Sequence, residues 1–445
     1  MKIIYPKNLY SDIRIETVSI TNARYTNSDL NDCKVREYTA AFLRVFDGNR
    51  WYYSSISDIN SLQAELDNLS ALAAPNKDIL KNAIVKKMSK TKDTVLVYQD
   101  NKVSNISLDK KLALLNSLHP HLTDSKIKLY NLLYSDFYKQ KEFYNSLGAC
   151  IKHDSQLCGF MTSVQLSDGD KQFLSRFNKT STSFDSLFDF ESDLKTEIDE
   201  SKHFMLHSSP VIPGNYTIVL APQATGIFTH EIFGHKSEAD LMLGDETSKA
   251  AWVMGKRMGA DGLDIIDEGV SAGSGYAIYD DEGHKARKNY LVKNGLLSGR
   301  LHSAATAADF DEEITGNARA ISYEFEPIVR MTNTYIDSGT LSFEDLIAPI
   351  KNGIYIKSVL HGSGLSTFTI APGLAYMIEN GKITKPVQIS VITGSVFDTL
   401  NEIDGIGNDK KIRWSIFGGC GKSNQAPCLV AHGGPSIRVN NMSVG

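Results

Sequence analysis

Residues 230–235 have the sequence HEIFGH, in which two histidines bracket a glutamate and an apolar pair. Zinc peptidases use a related helical pattern, with two histidines four residues apart and a glutamate beside the first. Both imidazoles bind the metal there, and the glutamate activates water. The run therefore indicates a hydrolytic metal site formed by His230, Glu231 and His235. The alternative is an ordinary amphipathic helix with its two apolar residues in the core.

The five-residue spacing of the two histidines does not suit a regular α-helix. Four residues bring a side chain back to within about 40° of its starting direction, whereas five leave it about 140° away. A π-type turn would align both rings, and Gly234 would let the backbone relax there. We predict a distorted turn at 230–235, in a helix that starts at residue 227 after a strand at 216–220 and a tight connection at 221–226.

A catalytic zinc usually has three protein ligands, so the two histidines need a third from elsewhere in the chain. Among the five cysteines, Cys420 lies in the glycine-dense loop FGGCGK at 417–422, which can bring a thiolate close to other backbone. Cys428 alternates with apolar residues and fits a packed strand better. A role for Cys420 as a small buried apolar residue stays open.

The second half of the chain resembles the TldD branch of the TldD/PmbA metallopeptidases, once described as modulators of DNA gyrase. The resemblance rests on HEIFGH and on seven further motifs. These are DDEG at 280–283, KNG at 293–295, RMTNTY at 330–335, GIY at 353–355, IENGKITKPV at 378–387, GND at 407–409 and CGK at 420–422. In the first half, RVFDG at 44–48 and WYYSS at 51–55 carry it.

The resemblance implies a zinc site formed by His230, His235 and Cys420. The TldD branch binds zinc through the two histidines of its HExxxH run and a distant cysteine, and the PmbA branch lacks these ligands. Glu231 is then the general base, which takes a proton from the metal-bound water and passes it to the leaving amine. The implied function is hydrolysis of short or unfolded peptides. Iron in place of zinc stays open, because two imidazoles and a thiolate suit zinc without demanding it.

Two other functions stay open. One is a non-catalytic regulatory or scaffold subunit of a TldD/PmbA-type complex, which would be expected to lack the ligands. The other is a zinc hydrolase of a non-peptide amide. The resemblance also implies a heterodimer with a PmbA-like subunit, with a homodimer as the alternative. The chain departs from the family at His361, which stands among glycines, and at Cys428 and His432, which replace apolar or small residues. We expect these departures to alter the walls of the substrate channel.

Several polar residues near the motifs have two interpretations each. Glu238, three residues beyond HEIFGH, orients the second imidazole or is a solvated carboxylate. The DDEG run favours a hairpin turn, because the ligand alternation of a calcium loop is missing. His361 faces the site or is an exposed loop residue. Arg330 and Asn333 are candidate contacts for the substrate backbone.

The distribution of glycine divides the chain into two parts. Four of the 33 glycines lie in residues 1–200, and the other 29 follow. With a length of 445 residues, this predicts two domains, 1–205 and 206–445, joined through an acidic segment at 183–203. The predicted class is α+β, with a mixed sheet and helices in the first domain. The second domain is a mainly antiparallel β domain that carries the metal-site helix.

Local patterns predict individual elements within these two parts. Apolar residues at 59, 62, 66 and 69 recur at helical spacing and end before Pro75. We expect helices to be few after residue 258. The remaining predictions are hairpin turns at 47–48, 294–295 and 380–381, a strand pair at 94–98 and 103–107, and a long helix over 125–144.

The overall charge and the chain ends limit the classes of partner. A net charge of −5 and a pI near 6.1 argue against a nucleic-acid surface, so the gyrase label indicates an indirect effect. The amino terminus lacks the apolar segment of a signal peptide, and no stretch has the length of a membrane span. Five unpatterned cysteines fit a reducing compartment. We expect a cytoplasmic protein that acts on peptides, with no nucleic-acid or membrane partner.

Overall fold

The computed structural model of the protein describes residues 3–364 and 367–445. The first part of the chain is built around one sheet, whose strands are β1 (Tyr10–Thr26), β2 (Asp29–Phe46), β3 (Trp51–Ile56), β4 (Lys92–Val95), β5 (Ile127–Asn145), β6 (Cys150–Asp168) and β7 (Lys171–Ser181). They lie in the order β3-β2-β1-β5-β6, and both β4 and β7 pair with β6. Neighbours are antiparallel except for β4 and β6, which are parallel.

The helices of this part cover the sheet with apolar side chains. They are α1 (Leu62–Leu72), α2 (Ala83–Lys87), α3 (Leu108–Asn116) and α4 (Glu191–His207). Buried Leu62, Leu66 and Leu69 of α1 pack on β1 and β2, which confirms the helix predicted there. The hairpin predicted at 47–48 is also confirmed, because β2 and β3 pair antiparallel on either side of it.

The segment expected to be a long helix, 125–144, forms the central strand β5 instead. Its burial alternates with a period of two, through Leu132, Tyr134, Asp136 and Tyr138. The strand pairs along most of its length with β1 on one side and β6 on the other. Two long ladders therefore override a spacing of apolar residues that also fits a helix.

The strand expected at 103–107 is a short helical turn, Val103–Asn105. The backbone N–H of Val103 donates to the side chain of Gln156 at 2.9 Å, in place of a ladder bond. On this side of β6, β4 pairs with residues 150–153 and β7 with residues 158–168, so only the four residues between the two ladders are left for a further strand.

The second part of the chain contains two larger sheets. Its strands are β8 (Ser209–Pro210), β9 (Gly214–Leu220), β10 (Ile265–Glu268), β11 (Lys288–Lys293), β12 (Leu296–Leu297), β13 (Ala318–Arg319), β14 (Ile328–Val329), β15 (Asn333–Ile336), β16 (Asn352–Ile356), β17 (Val359–Gly364), β18 (Thr367–Pro372), β19 (Ala375–Glu379), β20 (Lys382–Gln388), β21 (Ile392–Ser395), β22 (Ile403–Ile406), β23 (Lys411–Arg413), β24 (Cys420–Lys422), β25 (Gln425–Cys428), β26 (Ala431–Gly434) and β27 (Ile437–Val444). One sheet has the order β17-β18-β21-β27-β9-β16-β19-β20-β8, and the other has the order β12-β11-β10-β15-β26-β23.

The helices of this part are short, and they are few after residue 258, as predicted. They are α5 (Pro222–Thr229), α6 (Glu246–Ala251), α7 (Ala304–Asp309), α8 (Phe343–Ile347) and α9 (Val396–Asn401). Helix α5 packs against β26 of one sheet and β17 of the other, in a core to which both sheets contribute. The fold is α+β with mainly antiparallel sheets. The division at residues 205 and 206 remains a prediction.

The Asn-Gly pairs at 294–295 and 380–381 form the predicted hairpin turns. Both residues of each pair have positive φ, 49° and 72° in the first and 51° and 72° in the second. Two consecutive positive φ values define the type I′ turn, which glycine, asparagine and aspartate adopt most readily. In the described residues, no helix is long and apolar enough to cross a membrane.

The DDEG run is a turn, as predicted, but its carboxylates are buried against the N-terminal sheet. Asp281 lies 2.6 Å from the ammonium group of Lys141 and 3.5 Å from the guanidinium group of Arg14. Glu282 lies 3.3 Å from Arg44. Burial raises the pKa of Asp281, but Arg14 and Lys141 outweigh burial and hold that pKa well below its usual range. These ion pairs fasten the two parts of the chain together.

Asp281→Asn should destabilise the protein by about 3–5 kcal/mol at neutral pH, because Lys141 loses its nearest carboxylate and buried Arg14 loses one of the two carboxylates beside it. The pKa of Asp281 is lower in the folded state, so its contribution is present above about pH 4 and is lost as the pH falls through the folded value. Urea unfolding at several pH values measures the effect. Asp78→Asn, in the exposed pair with Lys81, is the control and should leave the free energy of unfolding almost unchanged. Equal effects of the two variants would contradict the assignment.

Candidate metal centre

Helix α5 continues directly into a π-helical turn at His230–Gly234. The predicted distortion at 230–235 is therefore confirmed. The helix starts at Pro222 and not at residue 227, because proline at the first helical position has a fixed φ and no N–H to leave unpaired. Strand β9 ends at Leu220, and Ala221 alone makes the connection in an extended conformation. A strand and a one-residue link thus fix where the turn lies.

Gly234 has a different role in this turn from the expected one. Its φ of −56° and ψ of −54° are ordinary helical values, so no backbone relaxation is involved. A Cβ atom at this position would lie 2.1 Å from the Sδ atom of Met331, a fully buried side chain. Glycine is therefore needed because the turn packs directly on Met331.

The π-turn brings His230 and His235 together with Cys420, from a hairpin 185 residues beyond His235. One donor atom from each of the three side chains lies within 4.8 Å of the other two. The Sγ atom of Cys420 is 3.2 Å from Nε2 of His235, and the two imidazole rings are 5.0 Å apart at their centroids. The three residues predicted as a group are thus neighbours in space.

Buried Arg330 holds the hairpin that carries Cys420. Its guanidinium group donates to the carbonyl oxygens of Cys420 at 2.6 Å and of Gln425 at 3.0 Å, one on each strand of the β24–β25 hairpin. Arg330 is fully buried, so its expected role as a substrate contact is wrong. The same holds for buried Asn333, whose amide is bonded to the backbone of Ser271 and Gly275.

Glu238 orients His235 and links it to the cysteine loop. One oxygen of this fully buried carboxylate lies 2.9 Å from Nδ1 of His235 and 3.2 Å from the ammonium group of Lys422. The other oxygen accepts a hydrogen bond from the backbone N–H of Met331 at 3.3 Å. The interpretation of Glu238 as the residue that orients the imidazole is therefore correct, and the solvated alternative is not. Lys422 also contacts Asp240 at 2.6 Å.

Glu231 lines the same cavity as the two histidines and Cys420, a space of about 410 Å³. Burial raises the pKa of Glu231, and His235 only partly offsets it. The cavity is bounded on another side by Gly362, whose Cβ position would lie 3.1 Å from the Cγ atom of Glu231. His361 is exposed and does not line the cavity, so its expected exposure is correct, but it lies in strand β17 and not in a loop.

The donor set fits a metal such as zinc or iron. The Nδ1 atom of His230 is buried and has no hydrogen-bond partner in the described chain, an arrangement that costs free energy unless a ligand compensates it. Burial, together with His235, His432 and Arg330, lowers the pKa of His230 well below its usual value, so the ring is neutral and able to bind a cation. In the protein alone, burial lowers the pKa of His235, but Cys420 and Glu238 outweigh it and raise the pKa to about 10.

His432, which we expected in a wall of the substrate channel, lines this cavity. Its ring lies 6.2 Å from that of His230, and its Nε2 atom is buried without a hydrogen-bond partner among the described residues. Burial, assisted by Arg413, lowers the pKa of His432 to about 4. In the sequence, His432 stood out because it replaces an apolar or small residue of the family pattern. Cys428 pairs with Cys420 across the hairpin and is buried, in the packed strand expected for it.

Comparison with known sequences gives matches along most of the chain. The profile of the PmbA/TldA metallopeptidase C-terminal domain matches residues 213–445. The profiles of domain 1 and of the central domain of the same family match residues 11–74 and 101–201. The chain therefore belongs to the PmbA/TldA metallopeptidase family.

Individual relatives agree with this assignment. A metalloprotease of Methanocaldococcus jannaschii is 30% identical over 97% of this chain and 96% of its own length. A zinc metalloprotease TldD homolog of Saccharolobus solfataricus is 32% identical over 79% of each chain. Among solved structures, TldE of Thermococcus kodakarensis has the same fold, with a TM-score of 0.77 over 98% of this chain and 96% of its own, at 14% identity. A protein of Thermotoga maritima described as a modulator of DNA gyrase has a TM-score of 0.76 at 19% identity, over 98% and 96% of the two chains.

Gly234→Ala should destabilise the protein by about 1–3 kcal/mol, because the new methyl group has no space beside Met331. Thermal unfolding measures this cost. Gly214→Ala is the matched control, since the nearest atom to its Cβ position is 3.6 Å away. A Gly234→Ala protein as stable as the control variant would show that the turn does not depend on this contact.

Proposed function

We propose that this protein is a zinc-dependent peptidase of the TldD type that hydrolyses short or unfolded peptides. His230, His235 and Cys420 would hold the metal, and Glu231 would act as the general base. The observation that carries the proposal is the convergence of two imidazoles and a thiol within 4.8 Å, in one cavity with a buried carboxylate. Iron remains an alternative to zinc, because the donor set accepts both.

The names of the relatives support the choice of reaction and metal. The Saccharolobus solfataricus relative is named a zinc metalloprotease, and that of Methanocaldococcus jannaschii is named a metalloprotease. Retention of all three donors argues against the alternative of a non-catalytic regulatory subunit. Hydrolysis of a non-peptide amide would use the same residues and remains the second candidate.

The residues around the cavity would have different roles in the reaction. When bound, the metal would acidify water and polarise the carbonyl of the scissile bond. Glu231 would take the proton of the attacking water and pass it to the leaving amine, and burial of its carboxylate favours the first of these transfers by raising its pKa. Glu238 would keep Nε2 of His235 directed into the site through its bond to Nδ1.

The active form is proposed to be a heterodimer with a PmbA-like subunit, with a homodimer as the alternative. A cytoplasmic location is proposed with it, because all five cysteines are free and a reducing compartment keeps a thiolate available for metal. The proposed substrates are peptides and not nucleic acids, in line with the net charge of −5.

Glu231→Gln should retain the metal and lose cleavage of an unfolded peptide by about 10²–10⁴-fold, because only the proton carrier is removed. His230→Ala should lose both metal and cleavage. Elemental analysis and peptide cleavage, each measured with and without a PmbA-like subunit, check these outcomes. His361→Ala, an exposed histidine outside the cavity, is the control and should keep both properties. Cleavage at the parent rate by Glu231→Gln would refute the assignment of the base.

A further inference from the structure

A second cavity of about 840 Å³ opens beside the candidate metal centre. The two cavities share the lining residues Ile227, Ser415, Phe417 and His432, so they are directly adjacent. The second cavity runs between β7 and α4 of the first part of the chain and β23 of the second. We call it the basic groove, and its charged lining residues are Arg176, Lys179, Asp193, Glu197, Lys411 and Arg413.

The basic groove has the opposite charge to the protein as a whole. Four of its lining residues are cationic and two are acidic, in a chain with a net charge of −5. A concave surface with an excess of one sign of charge raises the local concentration of ligands of the other sign. The groove therefore favours an anionic group on a molecule that reaches the candidate metal centre.

Arg413 differs from the other arginines of the second part of the chain. Each of the others donates a side-chain hydrogen bond, namely Arg257, Arg287, Arg300, Arg319, Arg330 and Arg438. Arg413 is half-buried in the groove wall, yet in residues 3–364 and 367–445 its side chain has no hydrogen bond and no carboxylate within 4.0 Å. Burial lowers the pKa of Arg413, and Glu197 only partly offsets it. A desolvated guanidinium group without a partner gains strongly from a bidentate carboxylate.

The position of Arg413 relates it to the candidate metal centre. Arg413 on β23 is the cross-strand partner of His432 on β26. The ring of His432 in turn lies 6.2 Å from that of His230. His432 is thus a neighbour of both Arg413 and His230. An extended peptide is long enough to contact both.

We propose that Arg413 binds a carboxylate of the peptide substrate and thereby selects peptides with a negative charge on one side of the scissile bond. The carboxylate belongs to the C-terminus of the peptide or to an aspartate or glutamate side chain. The inference rests on the proposed peptidase function and specifies its substrate class. It makes Arg413 a determinant of specificity.

Glu197 offers a competing explanation that the test must separate. It lines the groove with Arg413 and interacts with it through space, although no hydrogen bond or ion pair within 4.0 Å joins them in the described structure. If Arg413 only balances the charge of Glu197, removing either charge should have the same effect on peptide binding. If Arg413 binds substrate, Glu197 competes with the substrate carboxylate, and its removal has the opposite effect.

The test measures binding of labelled peptides to the full-length, zinc-loaded Glu231→Gln protein, which should bind without cleaving. One pair of peptides differs only in a C-terminal carboxylate or carboxamide, and a second, amidated pair differs only in one aspartate or asparagine. In fluorescence polarisation, at least one charged peptide should bind about tenfold more tightly than its neutral match. The pair that shows the preference identifies the source of the carboxylate.

Variants in the same background assign the preference to Arg413. Arg413→Gln should abolish the preference and leave binding of the neutral peptides unchanged. Arg413→Lys should retain part of it, because lysine keeps the charge and loses the bidentate geometry. Glu197→Gln should maintain or increase it. Thermal unfolding checks that each variant is folded.

Three results would overturn the inference. They are equal binding of charged and neutral peptides, an equal loss for both in Arg413→Gln, and a loss of the preference in Glu197→Gln. Cleavage of the same peptides by the parent chain, measured with and without a PmbA-like subunit, separates this inference from the proposed function. A preference in binding without any cleavage would contradict the peptidase proposal and support carboxylate binding. Cleavage without a binding preference would support the peptidase proposal and contradict carboxylate binding by Arg413.

Discussion

The candidate centre depends on one geometric constraint, the five-residue spacing between His230 and His235. Two rings at this spacing face one point only if the helix makes a wider turn, and the turn at His230–Gly234 is π-helical. The turn is held from both sides, because α5 packs between the two large sheets and Gly234 lies directly on Met331. The packing of the domain therefore sets the direction of both imidazoles before any metal binds.

A second constraint joins the turn to a loop that is remote in sequence. Glu238, on the turn side, contacts both His235 and Lys422, and Lys422 is two residues after Cys420. Arg330 fixes the other end of the same hairpin through the carbonyl of Cys420. The groups that orient one donor thus also position another. This coupling explains how side chains 185 residues apart form one compact set.

Local signals in the sequence predicted local structure well. The spacing of the histidines predicted the π-turn, and the Asn-Gly pairs predicted their hairpins, because each depends on a few neighbouring residues. The helix expected at 125–144 was wrong because β5 is determined by its ladders with β1 and β6. The buried partners of the DDEG turn and the support of Cys420 by Arg330 join distant segments, so no spacing along the chain reveals them. Cys420 was a candidate from its glycine-dense loop, and the family resemblance then implied its role as a metal ligand.

The most direct test of the proposed centre is X-ray absorption spectroscopy of the zinc-loaded protein, with Cys420→Ser as the comparison. We expect one sulfur at about 2.3 Å and two imidazole nitrogens at about 2.0–2.1 Å around the metal in the parent protein. The sulfur contribution should disappear in Cys420→Ser. A metal shell without sulfur in the parent, or an unchanged shell in the variant, would contradict the ligand set of His230, His235 and Cys420.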